Sequence, residues 1–244
     1  MVDLNFAYGQ KARIAHISPA LWDTTGHEYA KVLPEEAIMV IKTLNIQRFT
    51  TESFKEAFEA YEDAAAKVAL EDIDYMTVGG SPVISMQGVG SDSDLISRIE
   101  EKIKIPTITT ATAAMEAFKH MSVRKLAVVT PYREERNEER KLFLEGNGFK
   151  VINIKGLQLL RTIEVAKLPC SAAYNLAKGV YEESPEVDGV YISCGRWPTV
   201  DVIEILEEEL KKPVFTSVQA VTWAALKALN LKARKGYGSL LASL

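Results

Sequence analysis

Two stretches of this chain, far apart in sequence, read as copies of one plan. Ile73 to Pro82 is IDYMTVGGSP, and Val187 to Pro198 is VDGVYISCGRWP. Each is an apolar, partly β-branched run that follows an acidic residue, Asp74 or Asp188. Each stops in a short polar turn containing Gly. A longer match accompanies them: IEEKIKIPTITTATAAMEAFKHMSV from Ile99 and LEEELKKPVFTSVQAVTWAALKALNL from Leu206. Both read as helix, Pro-led short strand and Ala-rich helix. The repeat confines the chain to an α/β fold of two similar lobes, with parallel sheets flanked by helices. The lobes are related by a pseudo-twofold axis and face each other across a cleft. Residues 11–115 with 218–240 are expected to form the N-terminal lobe, and 116–217 the C-terminal lobe.

The rest of the chain fills in this frame. Residues 1–10 read as an extended arm or leader. Arg13 to Ile17 is a strand ending at Ser18-Pro19, and Ala20 to Pro34 is a polar loop. Ile38 to Phe49 has strand character. Thr51 to Leu70 is a helix with Phe54, Phe58, Tyr61, Ala65 and Val68 on one face. Ser91 to Lys104 is a capped helix. Lys125 to Val129 is a strand ending at Thr130-Pro131-Tyr132. A charged helix spans Glu134 to Asn147, and its Arg133–Arg140 charge run reads as a solvated face. Lys150 to Ile154 is a strand, followed by a loop to Leu168. Helices are predicted from about Pro169 to Glu183 and from about Thr199 to Lys212.

The charge balance excludes some partners. The net charge is −4 with dispersed Lys and Arg, so no basic stripe addresses nucleic acid. No apolar run reaches the length of a membrane span. The first residues lack the apolar core of a signal peptide. Two Cys make no disulfide framework, and the three His show no metal-ligand spacing. A cytoplasmic chain with free thiols is expected, and a homo-oligomer remains open.

The chemistry centres on Cys194. It stands at the carboxyl end of a strand, the edge where open α/β sheets bind ligands. A lone Cys is often simply packed, but the amide-rich turn after this one sets it apart. Aligning Asp74 with Asp188 puts Gly80 opposite Cys194. Two facing thiols would racemise a carbon by two-base chemistry. One thiol facing a glycine delivers a proton to one face only, which fits decarboxylation followed by stereospecific protonation. No Schiff-base or metal motif is evident, so the carbanion must be held as an enediolate by hydrogen bonds, without a cofactor. Ser81, Tyr132 and the amides of Cys194 and Gly195 are the candidates. A helix N-terminus behind the turn adds partial positive charge, and the resting protonation state of the thiol stays open. Cys170 reads as structural, His16 as a core or near-site residue, and His27 and His120 as loop and surface residues. Trp223 reads as core and Gly236-Tyr237-Gly238 as a structural turn.

The segments GGSP, TTATAAMEAF, VVTPYREERNEERKLFL, VYISCG and ARKGYGSLL resemble the arylmalonate decarboxylases of the aspartate/glutamate racemase superfamily. That superfamily also holds maleate cis–trans isomerases and amino-acid and hydantoin racemases. The resemblance runs from about Thr51 to the C-terminus. It implies a two-lobed α/β fold with Cys194 as proton donor and Gly80 at the site of the second cysteine found in racemases. It also implies that Ser81 binds the retained carboxylate and that Tyr132 belongs to the dioxyanion site. Gly195 supplies an amide, and Ser18-Pro19 line the pocket. Pro82 departs from the family by replacing a serine, and Arg196-Trp197-Pro198 replaces small and aliphatic residues. Arg196 is placed to pair with a substrate carboxylate, whereas Trp197 would equally shrink the pocket.

The leading expectation is a cofactor-independent decarboxylase acting on a malonate-like or other small dicarboxylate. The alternatives are a racemase or cis–trans isomerase, with Ser81 or Tyr132 as partner to Cys194, and a non-catalytic carboxylate binder anchored by Arg196. Replacing Gly80 with Cys is expected to create racemase activity if the two faces oppose each other.

Overall fold

A computed structural model describes residues 8–244. The first half runs β1 (Ala12–Ala20), α1 (Thr25–Val32), β2 (Ala37–Ile46), α2 (Thr51–Val68), β3 (Tyr75–Val78), α3 (Ser81–Ser85), α4 (Ser91–Ile103), β4 (Thr107–Thr109) and α5 (Thr110–His120). The second runs β5 (Lys125–Thr130), α6 (Glu134–Gly146), β6 (Lys150–Gly156), α7 (Thr162–Ala166), α8 (Cys170–Glu183), β7 (Gly189–Ile192), α9 (Ile203–Leu210), β8 (Val214–Thr216), α10 (Ser217–Ala228) and α11 (Ser239–Ala242).

The strands form two parallel four-stranded sheets, ordered β2-β1-β3-β4 and β6-β5-β7-β8. Every residue of β3 and β7 is buried, as parallel strands covered on both faces must be. The orders superpose when each number is raised by four, so β3 and β7 are equivalent strands.

The repeated residues do the same physical work in each half. The Asp74 carboxylate accepts the Arg13 amide at the start of β1, at 2.7 Å. The Asp188 carboxylate accepts the Arg124 and Lys125 amides at the start of β5, at 3.0 and 2.8 Å. Thr109 caps α5 by accepting the Thr112 amide, and Thr216 caps α10 by accepting the Gln219 amide. The two Ala-rich helices then pack on each other. Small side chains suit this contact. From Ser217 to Leu226, α10 is buried on all sides, and it also touches α1, β3, β4 and β8.

Three expectations need correction. Ala20–Pro34 is not all loop, because it contains α1. Its buried face is Thr25, Glu28, Tyr29 and Val32, and the two polar members conceal the apolar stripe. The Arg133–Arg140 run is not a solvated face, since Arg136, Asn137 and Arg140 are buried. Arg136 pairs with Glu139 and Glu135, and the Asn137 carbonyl accepts the Thr130 hydroxyl at 2.6 Å. Arg140 donates to the Tyr191 hydroxyl at 3.2 Å. The helix expected from about Thr199 to Lys212 forms as α9 but starts later, after a single 3-10 turn, Val200–Val202.

The expected N-terminal arm falls mainly on residues 1–7, outside the described residues. The loop before Leu168 carries the short α7. His27 lies on α1 rather than a loop and is exposed, as is His120. Trp223 is buried, and Cys170, at the start of α8, is half-buried against the core. Gly236 and Gly238 have positive φ angles, as the GYG turn requires. Among the described residues no helix is long and apolar enough to cross a membrane.

Candidate active site

A cavity of about 60 Å³ lies at the carboxyl ends of the strands, lined from both sheets. From the first sheet come Ser18 and Pro19 at the end of β1, and Gly79 to Val83 after β3. From the second come Tyr132 after β5, and Cys194 to Arg196 after β7. Every residue singled out in the sequence as catalytic or substrate-binding therefore borders one space. Thr162 of α7 and Phe54 of α2 also line it. Trp197 does not: its ring is fully buried elsewhere, so it does not narrow the pocket.

Cys194 is buried at 7% exposure. Burial pushes its thiol up, because a thiolate loses hydration there. Hydrogen bonding from the Tyr132 hydroxyl and the following turn amides, together with the Arg196 charge, acts the other way. Burial wins, so the resting group is the thiol. The positive end near the sulfur is thus made by turn amides, not by a helix N-terminus, since helical geometry begins only at Val200. The turn is held from behind by Glu28. Its carboxylate accepts the Thr199 and Val200 amides at 2.7 and 2.9 Å.

Gly80 has a φ of +86°, a conformation that disfavours any residue with a Cβ. A Cβ there would sit 2.7 Å from Pro19 Cγ and 2.7 Å from the Tyr61 hydroxyl. The first lobe's strand end therefore leaves little room for a cysteine side chain, and Gly80→Cys requires Pro19 or Tyr61 to shift.

Among the described residues, Ser81 and Arg196 hold fully buried polar atoms at the cavity that have no hydrogen-bond partner. The Ser81 hydroxyl is buried without a hydrogen bond, and so are all three nitrogens of the Arg196 guanidinium. Burial pushes the Arg196 pKa down, while the charges of Asp23 and Cys194 push it up. Asp23 does not ion-pair with it; its carboxylate instead accepts the Thr25 amide at 2.7 Å. An unpaired buried cation is costly unless an anion joins it.

The sequence reading left His16 undecided between core and site. It lines the cavity and is held by Thr77 and Tyr29. Asp23 also lines the cavity, and no motif in the sequence points to it. Among the described residues no cluster of three or more His, Cys, Asp or Glu could hold a metal ion.

The Arylmalonate decarboxylase family model matches residues 17–241. Arylmalonate decarboxylase of Bordetella bronchiseptica is 26% identical over 199 residues, covering 81% of this chain and 83% of that protein. Maleate isomerase of Pseudomonas putida is 28% identical over 194 residues, covering 76% of each. Among solved structures, a liganded arylmalonate decarboxylase carrying Gly-to-Cys and Cys-to-Ser replacements matches with a TM-score of 0.91 at 23% identity. That match covers 96% of this chain and 100% of the other. Maleate isomerase of Pseudomonas putida S16 matches with a TM-score of 0.88 at 23% identity, covering 94% and 98%. The two structural matches establish the shared two-lobed fold. The family match spans nearly the whole chain, so this chain belongs to the arylmalonate decarboxylase family of enzymes, which has maleate isomerase relatives.

Proposed function

We propose that this enzyme decarboxylates malonate-type diacids without a cofactor and protonates the resulting enediolate on one face from Cys194. One observation carries the reading: a buried thiol shares a cavity with a glycine whose positive φ and close neighbours disfavour a side chain, and with two carboxylate donors, Ser81 and Arg196, that have no partner among the described residues.

The bond between the α-carbon and the leaving carboxylate breaks, and carbon dioxide departs. The electron pair moves into the retained carboxylate, giving an enediolate. The Ser81 hydroxyl, the Gly195 amide and the Arg196 guanidinium stabilise that charge, while Ser18 and Pro19 wall the pocket. Cys194 then gives its proton to the α-carbon. The Tyr132 hydroxyl and the Arg196 charge stabilise the thiolate left behind. A solvent proton restores the thiol. Keeping the thiol protonated at rest suits a proton donor better than a nucleophile.

The cavity bears on the substrate class. The Ser81 hydroxyl and the Arg196 guanidinium, which have no partner among the described residues, suit a substrate that carries two carboxylates. The Arg196 cation also suits a second reading, cis–trans isomerisation of a four-carbon dicarboxylate. In support, a Nocardia farcinica maleate isomerase mutant was solved with a covalent succinylcysteine intermediate. That route needs a thiolate nucleophile, which burial opposes here. The test is to incubate the enzyme with methylmalonate, ethylmethylmalonate, methylphenylmalonate and maleate, following carbon dioxide and fumarate. Carbon dioxide release lost in Cys194→Ala supports decarboxylation. Fumarate formation without carbon dioxide release would replace it with the isomerase.

A further inference from the structure

Another titratable side chain borders the cavity, and the decarboxylation just described does not use it. His16 lies in β1, paired in register with Thr77 of β3, three residues before Gly80. It is 4% exposed and lines the cavity from the first lobe. Its Nδ1 lies 2.8 Å from the Thr77 hydroxyl and 3.3 Å from the Tyr29 hydroxyl. The Thr77 hydroxyl donates its one proton to the Ala15 carbonyl at 2.8 Å, so it meets the ring with a lone pair. Nδ1 therefore carries the imidazole proton and Nε2 holds a free lone pair.

The Nε2 edge lies over Gly79, where an added Cβ would stand only 2.8 Å away. Gly79 and Gly80 both border the cavity, and neither has a side chain to screen the ring. Among the described residues Nε2 has no hydrogen-bond partner. Burial lowers the tendency of His16 to protonate, with Asp23 acting the other way. The ring is thus a neutral base on the lobe opposite the Cys194 thiol.

We propose that His16 and Cys194 form a base–acid pair across the cavity, and that the enzyme exchanges and inverts the α-hydrogen of 2-substituted carboxylic acids. The proposal rests on the enediolate site described above. His16 Nε2 takes the α-hydrogen as a proton, and the C–H electron pair enters the carboxylate to form the enediolate. The Cys194 thiol delivers its proton to the opposite face. The imidazolium and thiolate so formed return to their neutral states by exchange with solvent, with no net oxidation or reduction. The base missing at Gly80 is thereby supplied by the neighbouring strand.

The test uses single enantiomers of 2-methylbutanoate and 2-phenylpropionate in D2O, with NMR for deuterium and chiral chromatography for configuration. In parallel, ethylmethylmalonate and methylphenylmalonate report decarboxylation. His16→Asn keeps an N–H donor towards Thr77 and removes Nε2. Wild-type enzyme should incorporate deuterium with inversion, and H16N should lower the exchange-to-decarboxylation ratio by at least about 100-fold, the low end for general-base catalysis. Exchange with retention, no exchange with either acid, or an unchanged ratio in H16N would each overturn the proposal. The wild-type stereochemistry decides it even if H16N folds poorly. Carbon dioxide release without exchange leaves the decarboxylase standing and removes this pair. Inverting exchange without carbon dioxide release does the reverse.

Discussion

The Tyr61 hydroxyl stands 2.7 Å from where a Cβ on Gly80 would be, while donating to the Gly79 carbonyl at 2.7 Å. Tyr61 sits on the buried face of α2 and is fully buried. Pro19 closes the other side of Gly80 at the same distance. The bare strand end in the first lobe is therefore built by neighbours on two elements, in addition to the left-handed backbone.

Gly80→Ala should cost about 1–3 kcal/mol from the positive φ alone. For a chain of this size that lowers the melting temperature by about 2–12 °C. Adding Tyr61→Phe removes one of the two close contacts and should recover part of the loss. Thermal melts of G80A and the double variant check this; an unchanged melt for G80A would mean that the site can relax.

Arg196→Met removes a buried cation that has no partner among the described residues. The ligand-free variant should melt at or above the wild-type temperature, since replacing a buried charge with an apolar group is often neutral or stabilising. Malonate should raise the wild-type melting temperature and leave the variant unmoved. KM for a decarboxylated diacid should rise by about 10–100-fold, matching the loss of a charged hydrogen bond. A variant that melts early and still responds to malonate would contradict this role.

The pH dependence follows from the thiol. Burial raises the Cys194 pKa, so the donor stays protonated through neutral pH, and decarboxylation should fall only in the alkaline range above an ordinary thiol value. Tyr132 lowers that pKa, so Tyr132→Phe should move the alkaline limb upward while slowing the reaction. The folded state holds this proton more tightly than the unfolded chain does. Its stabilising contribution is complete below the unfolded thiol value, about 8.5, and is lost as pH rises above it. Tyr29, Tyr61 and Tyr132 are raised by burial as well, so Cys194→Ala should remove only part of the alkaline loss. Rate profiles and melts across pH check both limbs.

Glu28→Ala should strip the acceptor from the Thr199 and Val200 amides. Leaving buried donors unpaired costs about 1–3 kcal/mol each. Melting should fall, and because Glu28 braces the turn that follows Cys194, kcat should fall with it. Glu28→Gln retains one acceptor oxygen and should lose less. Equal melts for E28A and wild type would show that the turn stands without this brace.

Local sequence determined the repeat, the parallel strand–helix alternation and the placing of Cys194 and Gly80 at equivalent strand ends. Those features rest on short-range patterning, such as the buried runs of β3 and β7, the Asp74 and Asp188 acceptors, and the Thr109 and Thr216 caps. Tertiary structure alone decided what those ends can do. The burial of Arg136 and Arg140 depends on partners from other segments or on the rings beneath them, so their charge misled. The helical stripe of α1 is half polar because Glu28 answers amides 171 and 172 residues away. The orientation of His16, the unpaired Arg196 and the protonated Cys194 follow from which groups the fold brings around one cavity, and no local pattern encodes that assembly.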